Sequence, residues 1–109
     1  MQVTDIVNEY VKAWNAFDII GLRRLMHPDI SLTDWSNKVS GVDEVLDVNS
    51  SIFRQFPSAK IEIVAIAICD ENKAMAQLLI HLSPEQSLQV VDVFDICDEK
   101  IISVTAYKI

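Results

Sequence analysis

Apolar residues recur along the chain first with a helical and then with a strand period. Val3, Ile6, Val7, Tyr10, Val11, Trp14 and Phe17 form one stripe at helical spacing, and Thr4 is placed to cap that helix. Asp18 can cap a second helix from Ile19 to Met26, which Pro28 stops. A strand is predicted from Ile30 to Trp35, with a turn at Ser36, Asn37 and Lys38. Gly41 opens a third helix over Val42 to Phe56, with Val45, Leu46, Ile52 and Phe53 on its apolar side, and Pro57 ends it. Strands follow at Lys60–Cys69, Lys73–Leu82, Ser87–Cys97 and Lys100–Ile109. Their short connections predict an antiparallel meander. Helices first and strands after predict one α+β domain over residues 1–109, with the helices on one face of a curved sheet.

Three polar groups break these patterns. In Leu88 to Ile96 the alternation places Leu88, Val90, Asp92, Phe94 and Ile96 on one face, so Asp92 interrupts an apolar row. An isolated ionised carboxylate there would cost several kcal/mol. Asp92 is therefore protonated, strongly hydrogen-bonded or beside a cavity, unless backbone groups satisfy it or the register turns it to solvent. Asp34 shares a face with Ile30 and Leu32 at a strand end, where an aspartate can equally serve a turn. Tyr10 lies mid-stripe, one turn from Ile6 and from Trp14. Its hydroxyl points to whatever the helix covers, as either a structural or a chemical group.

The strand from Ala74 to Leu82 can be read two ways. Ala74, Ala76, Leu78, Ile80 and Leu82 form a wholly apolar face, whereas Met75, Gln77, Leu79 and His81 form a mixed one. By pattern the apolar set faces the helices. If instead it meets a second copy of the chain, Gln77 and His81 line a pocket with the two acids; otherwise His81 is a surface residue. A homodimer through that set, or through Val91 and Val93 on the next strand, is expected.

Composition narrows the classes. With 109 residues, half of them hydrophobic and two of them glycine, the chain can bury a core and is not of low complexity. A net charge of −7 without a basic cluster argues against nucleic acid and against anionic membranes. No apolar run reaches membrane-spanning length, and the N-terminus lacks the signal-peptide pattern. Cys69 and Cys97 read as reduced thiols of a cytoplasmic protein, and two histidines suggest no zinc constellation. No cofactor is expected.

The stretch Tyr10 to Asp18, followed by Leu25-Met26-His27-Pro28-Asp29-Ile30, resembles the opening of nuclear transport factor 2-like proteins. That group includes SnoaL-like polyketide cyclases and ketosteroid isomerases. Asp92-Val93-Phe94-Asp95-Ile96 and Asp98-Glu99-Lys100-Ile101 resemble its penultimate strand and last hairpin. The resemblance covers nearly the whole chain and implies a cystatin-like α+β roll, its sheet forming a cone around the N-terminal helices. Tyr10 matches the isomerases' oxyanion-hole tyrosine, Asp34 their proton-shuttling aspartate, and Asp92 the aspartate they keep protonated. The resemblance thus implies Asp34 as base with Tyr10 and Asp92 as donors to a developing oxyanion. Trp35 stands where the isomerases have proline, and Asn49 where a supporting tyrosine often stands. Gln77, His81 and Lys108 would make the cavity more polar than a steroid pocket.

The leading expectation is a pocket for a small organic ligand, catalytic at Asp34, Asp92 and Tyr10, with Trp14, Trp35, Gln77, His81 and Phe94 around it. Its chemistry would be cofactor-free acid/base catalysis next to a carbonyl, of isomerase or cyclase type. A second enzyme reading pairs Asp34 with His81 for dehydratase or hydrolase chemistry. The third is a non-catalytic dimeric binding or assembly module.

Overall fold

A computed structural model describes residues 1–109. Helix α1 spans Val3–Asn15. It starts two residues earlier than a Thr4 cap would place it: Gln2 is the N-cap, and the Gln2 amide donates to Asp5 Oδ2 at 3.1 Å. At its other end Phe17 takes a left-handed conformation, φ 54°. There the Phe17 and Asp18 amides donate to the carbonyls of Trp14 and Ala13, satisfying two groups the last turn leaves open. A phenylalanine rarely adopts that conformation. Phe17 is held in it by stacking on Phe53, centroids 4.2 Å apart, and by an edge contact with Trp14.

Helix α2, Ile19–Leu25, is capped by Asp18, whose Oδ1 accepts the Gly21 amide at 2.9 Å. Strand β1, Met26–Thr33, begins four residues before the predicted Ile30. Pro28 does stop the helix, but it sits in a stretch of β1 where the register shifts, so its missing N–H is tolerated. The predicted turn at Ser36 to Lys38 leads into a short strand β2, Lys38–Ser40, too brief to show a period. Helix α3, Val42–Gln55, starts at Gly41, whose φ of 92° suits glycine. Strands β3 (Lys60–Asp70), β4 (Lys73–Ser83), β5 (Gln86–Cys97) and β6 (Lys100–Lys108) complete the chain.

The six strands form one open sheet in the order β2-β1-β6-β5-β4-β3. Short turns make β3 through β6 an antiparallel meander, as their spacing predicts. The sheet as a whole is mixed, because β1 runs parallel to β6. No tight turn links those two strands, so their relative direction is set by the path of the chain between them and not by local turn geometry. Register shifts interrupt β1/β6, β3/β4, β4/β5 and β5/β6, each a place where the sheet can bend around the helices. The α+β class read from the sequence is the observed one.

The helices cover one sheet face, α1 over β3 and β4 and α3 over β1. Ala74, Ala76, Leu78 and Leu82 are buried beneath them, together with Val90, Phe94 and Val104 of the next two strands. Asn15 locks α1 to the edge strand: its Nδ2 donates to the Ile61 carbonyl at 2.9 Å, and its Oδ1 accepts the Ile61 amide at 2.6 Å. An edge strand otherwise leaves those groups unpaired.

Candidate functional site

The β4 register settles which face points inward. Ala76 pairs with Asp92 and Asp92 with Ala106, so Asp92 lies on the helix-covered face. Two residues share that row with opposite consequences: Phe94 fits the core, and Asp92 does not. Asp92 retains only 7 % exposure, on the wall of a cavity of about 100 Å³ bounded by α1, α3 and the sheet. Tyr10, Trp14, Leu32, Asp34, Trp35 and Asn49 line the same cavity, with Ile80, Leu82 and Val90 among the apolar remainder.

Inside this wall the Asp92 carboxyl and the Tyr10 hydroxyl make no hydrogen bond to any protein group, while every fully enclosed side-chain polar atom is paired. Both are donors held open to the cavity. Burial, and after it the negative charge of Asp34, together raise the Asp92 carboxyl from 3.8 to about 7. Burial, then the charge of Asp92, pushes the Tyr10 hydroxyl up as well, so it stays protonated. Below about pH 7 the cavity therefore presents two proton donors in apolar surroundings.

Asp34 follows β1 and serves two neighbourhoods. Its Oδ1 accepts the Ser36 and Asn37 amides at 2.7 and 2.6 Å, and Asn37 Nδ2 reaches both carboxylate oxygens at 3.2 Å. This is the turn role open to an aspartate at a strand end. It fixes the carboxylate where it also borders the cavity, with Oδ2 engaged only by the longer side-chain contact.

Four sequence expectations change. Gln77 and His81 do not line the cavity: they pair across to Val91 and Ser87 on the outer sheet face, where Gln77 is exposed and His81 Nε2 lies 3.2 Å from Glu62 Oε1. The strand turned them outward because the apolar set facing them met the helices. Phe94 is fully buried behind Tyr10, ring centroids 5.4 Å apart, and is a core residue supporting the site and not a wall of it. Lys108 is exposed, its Nζ 5.2 Å from the centre of the Trp35 ring. Trp35 borders the cavity and is 46 % exposed.

One polar residue carries more weight than the pattern suggested. Asn49 is buried on α3, where its Oδ1 accepts the Trp14 indole N–H at 3.0 Å while its Nδ2 donates to the Val45 carbonyl. It fixes the Trp14 ring that walls the cavity. The signal was present as an asparagine in a helix otherwise apolar on that side.

Outside the cavity, His27, Cys97 and Asp98 bring one ligand-type atom each within 4.8 Å of one another. Residues so distant in the chain could not suggest this by spacing. His27 Nδ1 already accepts the Asp29 amide at 3.0 Å, so the neutral ring carries its proton on Nε2. Coordination would cost that bond or that proton. A depression of about 670 Å³ lined by Arg23, Asp43, Glu44 and Lys100 is larger, but there Arg23 is already paired with Asp43 at 2.9 Å.

Helices laid over one face of an open sheet, with acidic and phenolic donors in a small apolar cavity between them, define an α+β pocket protein. The chain belongs to the SnoaL-like domain family, which matches residues 7–104. Its fold is shared with a provisionally assigned polyketide cyclase from Sinorhizobium meliloti: 23 % identity, 94 % of this chain and 93 % of that one, TM-score 0.84. A provisionally assigned ketosteroid isomerase from Kribbella flavida is similar at 16 % identity over 96 % of this chain and 76 % of that one, TM-score 0.83. A nuclear transport factor 2-like protein of unknown function from Cytophaga hutchinsonii matches at 11 % identity over 97 % and 88 %, TM-score 0.84. No curated protein matches the chain. At these identities the structural likenesses establish the fold.

Proposed function

We propose that this protein binds a small carbonyl compound and catalyses cofactor-free proton transfer next to the carbonyl, in an isomerisation or cyclisation. The observation that carries the proposal is the pair Tyr10 and Asp92, two unpartnered donors on an apolar cavity wall. A carbonyl oxygen between them receives two hydrogen bonds, which strengthen as it becomes an enolate oxygen. Asp34, as carboxylate, removes the α-proton and returns it at another carbon, or leaves the enolate to attack a second carbonyl. The second Asp34–His81 enzyme scheme loses its basis, because His81 lies on the opposite sheet face. We also propose a homodimer, seated on the outer face around Val91 and Val93, since the Ala74 to Leu82 set is used inside. Light scattering at micromolar concentration tests it.

Proton–deuterium exchange at the α-carbons of small ketones, followed by NMR, tests the chemistry. Asp34→Asn should lower exchange roughly a hundredfold or more. Asp92→Asn, still a donor, should keep much of it, and Asp92→Leu should not. One observation favours a non-catalytic binding module: the Asp34 carboxylate is already committed to its turn. If the wild type exchanges no α-protons while ketones still bind, that module is the correct reading.

A further inference from the structure

Asp34, Trp35, Val48, Ile52, Leu82 and Leu88 belong to two spaces at once. On their inner side is the apolar cavity with Tyr10 and Asp92. On their outer side lies a vestibule of about 520 Å³. The two differ in chemistry as well as size. At about 100 Å³ the inner space equals roughly three waters of liquid and is below the roughly 150 Å³ that takes benzene in an engineered cavity. It admits an oxygen-bearing head of a few carbons, and a six-membered ring seats only its oxygen end there, the rest lying past Trp35. The vestibule instead carries Asn37, Asp47, Ser51 and Gln55 beside Asp34, and no lysine or arginine lines it.

We propose that the vestibule is a second binding subsite, which takes the neutral hydroxylated or cationic tail of a ligand whose small oxygen-bearing head enters the cavity. This rests on the proposed function of the inner site. Two points carry it. Tyr10 and Asp92 are more than nine-tenths buried and open only to the adjoining cavity, so a ligand's oxygen is what they await. Whatever part of that ligand exceeds the inner volume must pass Trp35 and lie against Asp47, Ser51 and Gln55 of α3. A carboxylate or phosphate tail there meets two aspartates, while Lys108, the cation at the Trp35 ring, does not line the space. An ammonium tail is attracted by the same two charges, and a hydroxyl tail finds serine and amide partners. A fused polycyclic skeleton does not fit the inner space.

Matched phenols separate these statements, because a phenol oxygen suits the two donors and its para substituent reaches outward. Phenol, tyrosol, tyramine and 4-hydroxyphenylacetate carry no tail, a hydroxyl, an ammonium and a carboxylate. Quenching of Trp14 and Trp35 fluorescence, or calorimetry, reads their Kd on the intact chain. Tyramine should bind about tenfold more tightly than 4-hydroxyphenylacetate at low ionic strength, with tyrosol tighter than phenol and the gap narrowing at higher salt. Asp47→Lys should reverse the order of the charged pair. Equal affinities for the three tails, or tightest binding of the carboxylate, overturn the vestibule subsite alone, provided that Asp92→Leu still weakens phenol. If no phenol binds, the inner-site reading falls and the subsite falls with it.

Discussion

Protonating Asp92 should stabilise the fold, and the gain should be measurable against a variant that cannot titrate. In the unfolded chain this carboxyl ionises near its ordinary 3.8, and in the folded protein near 7, burial being the main cause and Asp34 the second. Between those values the folded state holds a proton that the unfolded state has released, so stability falls as pH rises. The gap of about three pH units, at about 1.36 kcal/mol each, corresponds to about 4 kcal/mol. That contribution is fully present below pH 3.8 and is lost by the time pH passes 7. Urea unfolding of wild type, Asp92→Asn and Asp92→Leu from pH 4 to pH 8 isolates it, because other titrating groups cancel in the differences. Both variants should gain on the wild type as pH rises to 7, then level off. Removing the second cause with Asp34→Asn should bring the midpoint of the loss to lower pH. A difference that is constant with pH, or a wild type that gains on its variants, would refute the account of a desolvated carboxyl beside a cavity.

Other expectations concern the frame of the site. Asn49→Leu leaves the Trp14 indole N–H without its acceptor and should cost about 1–3 kcal/mol in urea unfolding, with a change in Trp emission. Asn15→Ala frees the amide and carbonyl of Ile61, so hydrogen exchange at the start of β3 should accelerate well before global stability is affected. Gly41→Ala forces a side chain into a left-handed backbone and should cost about 1–2 kcal/mol by thermal or chemical unfolding, although nothing lies in the space its methyl group would take.

Much of this protein is written locally. The helical stripe from Val3 to Phe17, the Asp18 cap and the four alternating segments after Pro57 are short-range patterns, and each formed where its period placed it. The conflict at Asp92 is legible for the same reason: alternation assigns it to a face, and no neighbour in the chain offers it a partner. Tyr10 and Trp14 likewise follow from the side of α1 that must be covered. Other features depend on partners remote in the chain. The parallel pairing of β1 with β6 and the meeting of Asn49 with Trp14 have no local signature, because spatial closeness between distant segments leaves no period to read. The strand Ala74 to Leu82 has one wholly apolar face and one mixed face, and its sequence fits either side until the helices cover one. Burial of the apolar set then sends Gln77 and His81 outward. The cavity itself is a volume left between α1, α3 and the sheet, which no alternation of residues specifies. Its small inner size and its acidic vestibule therefore arise from packing, while the donors on its wall were already a misplaced carboxyl and hydroxyl in the chain.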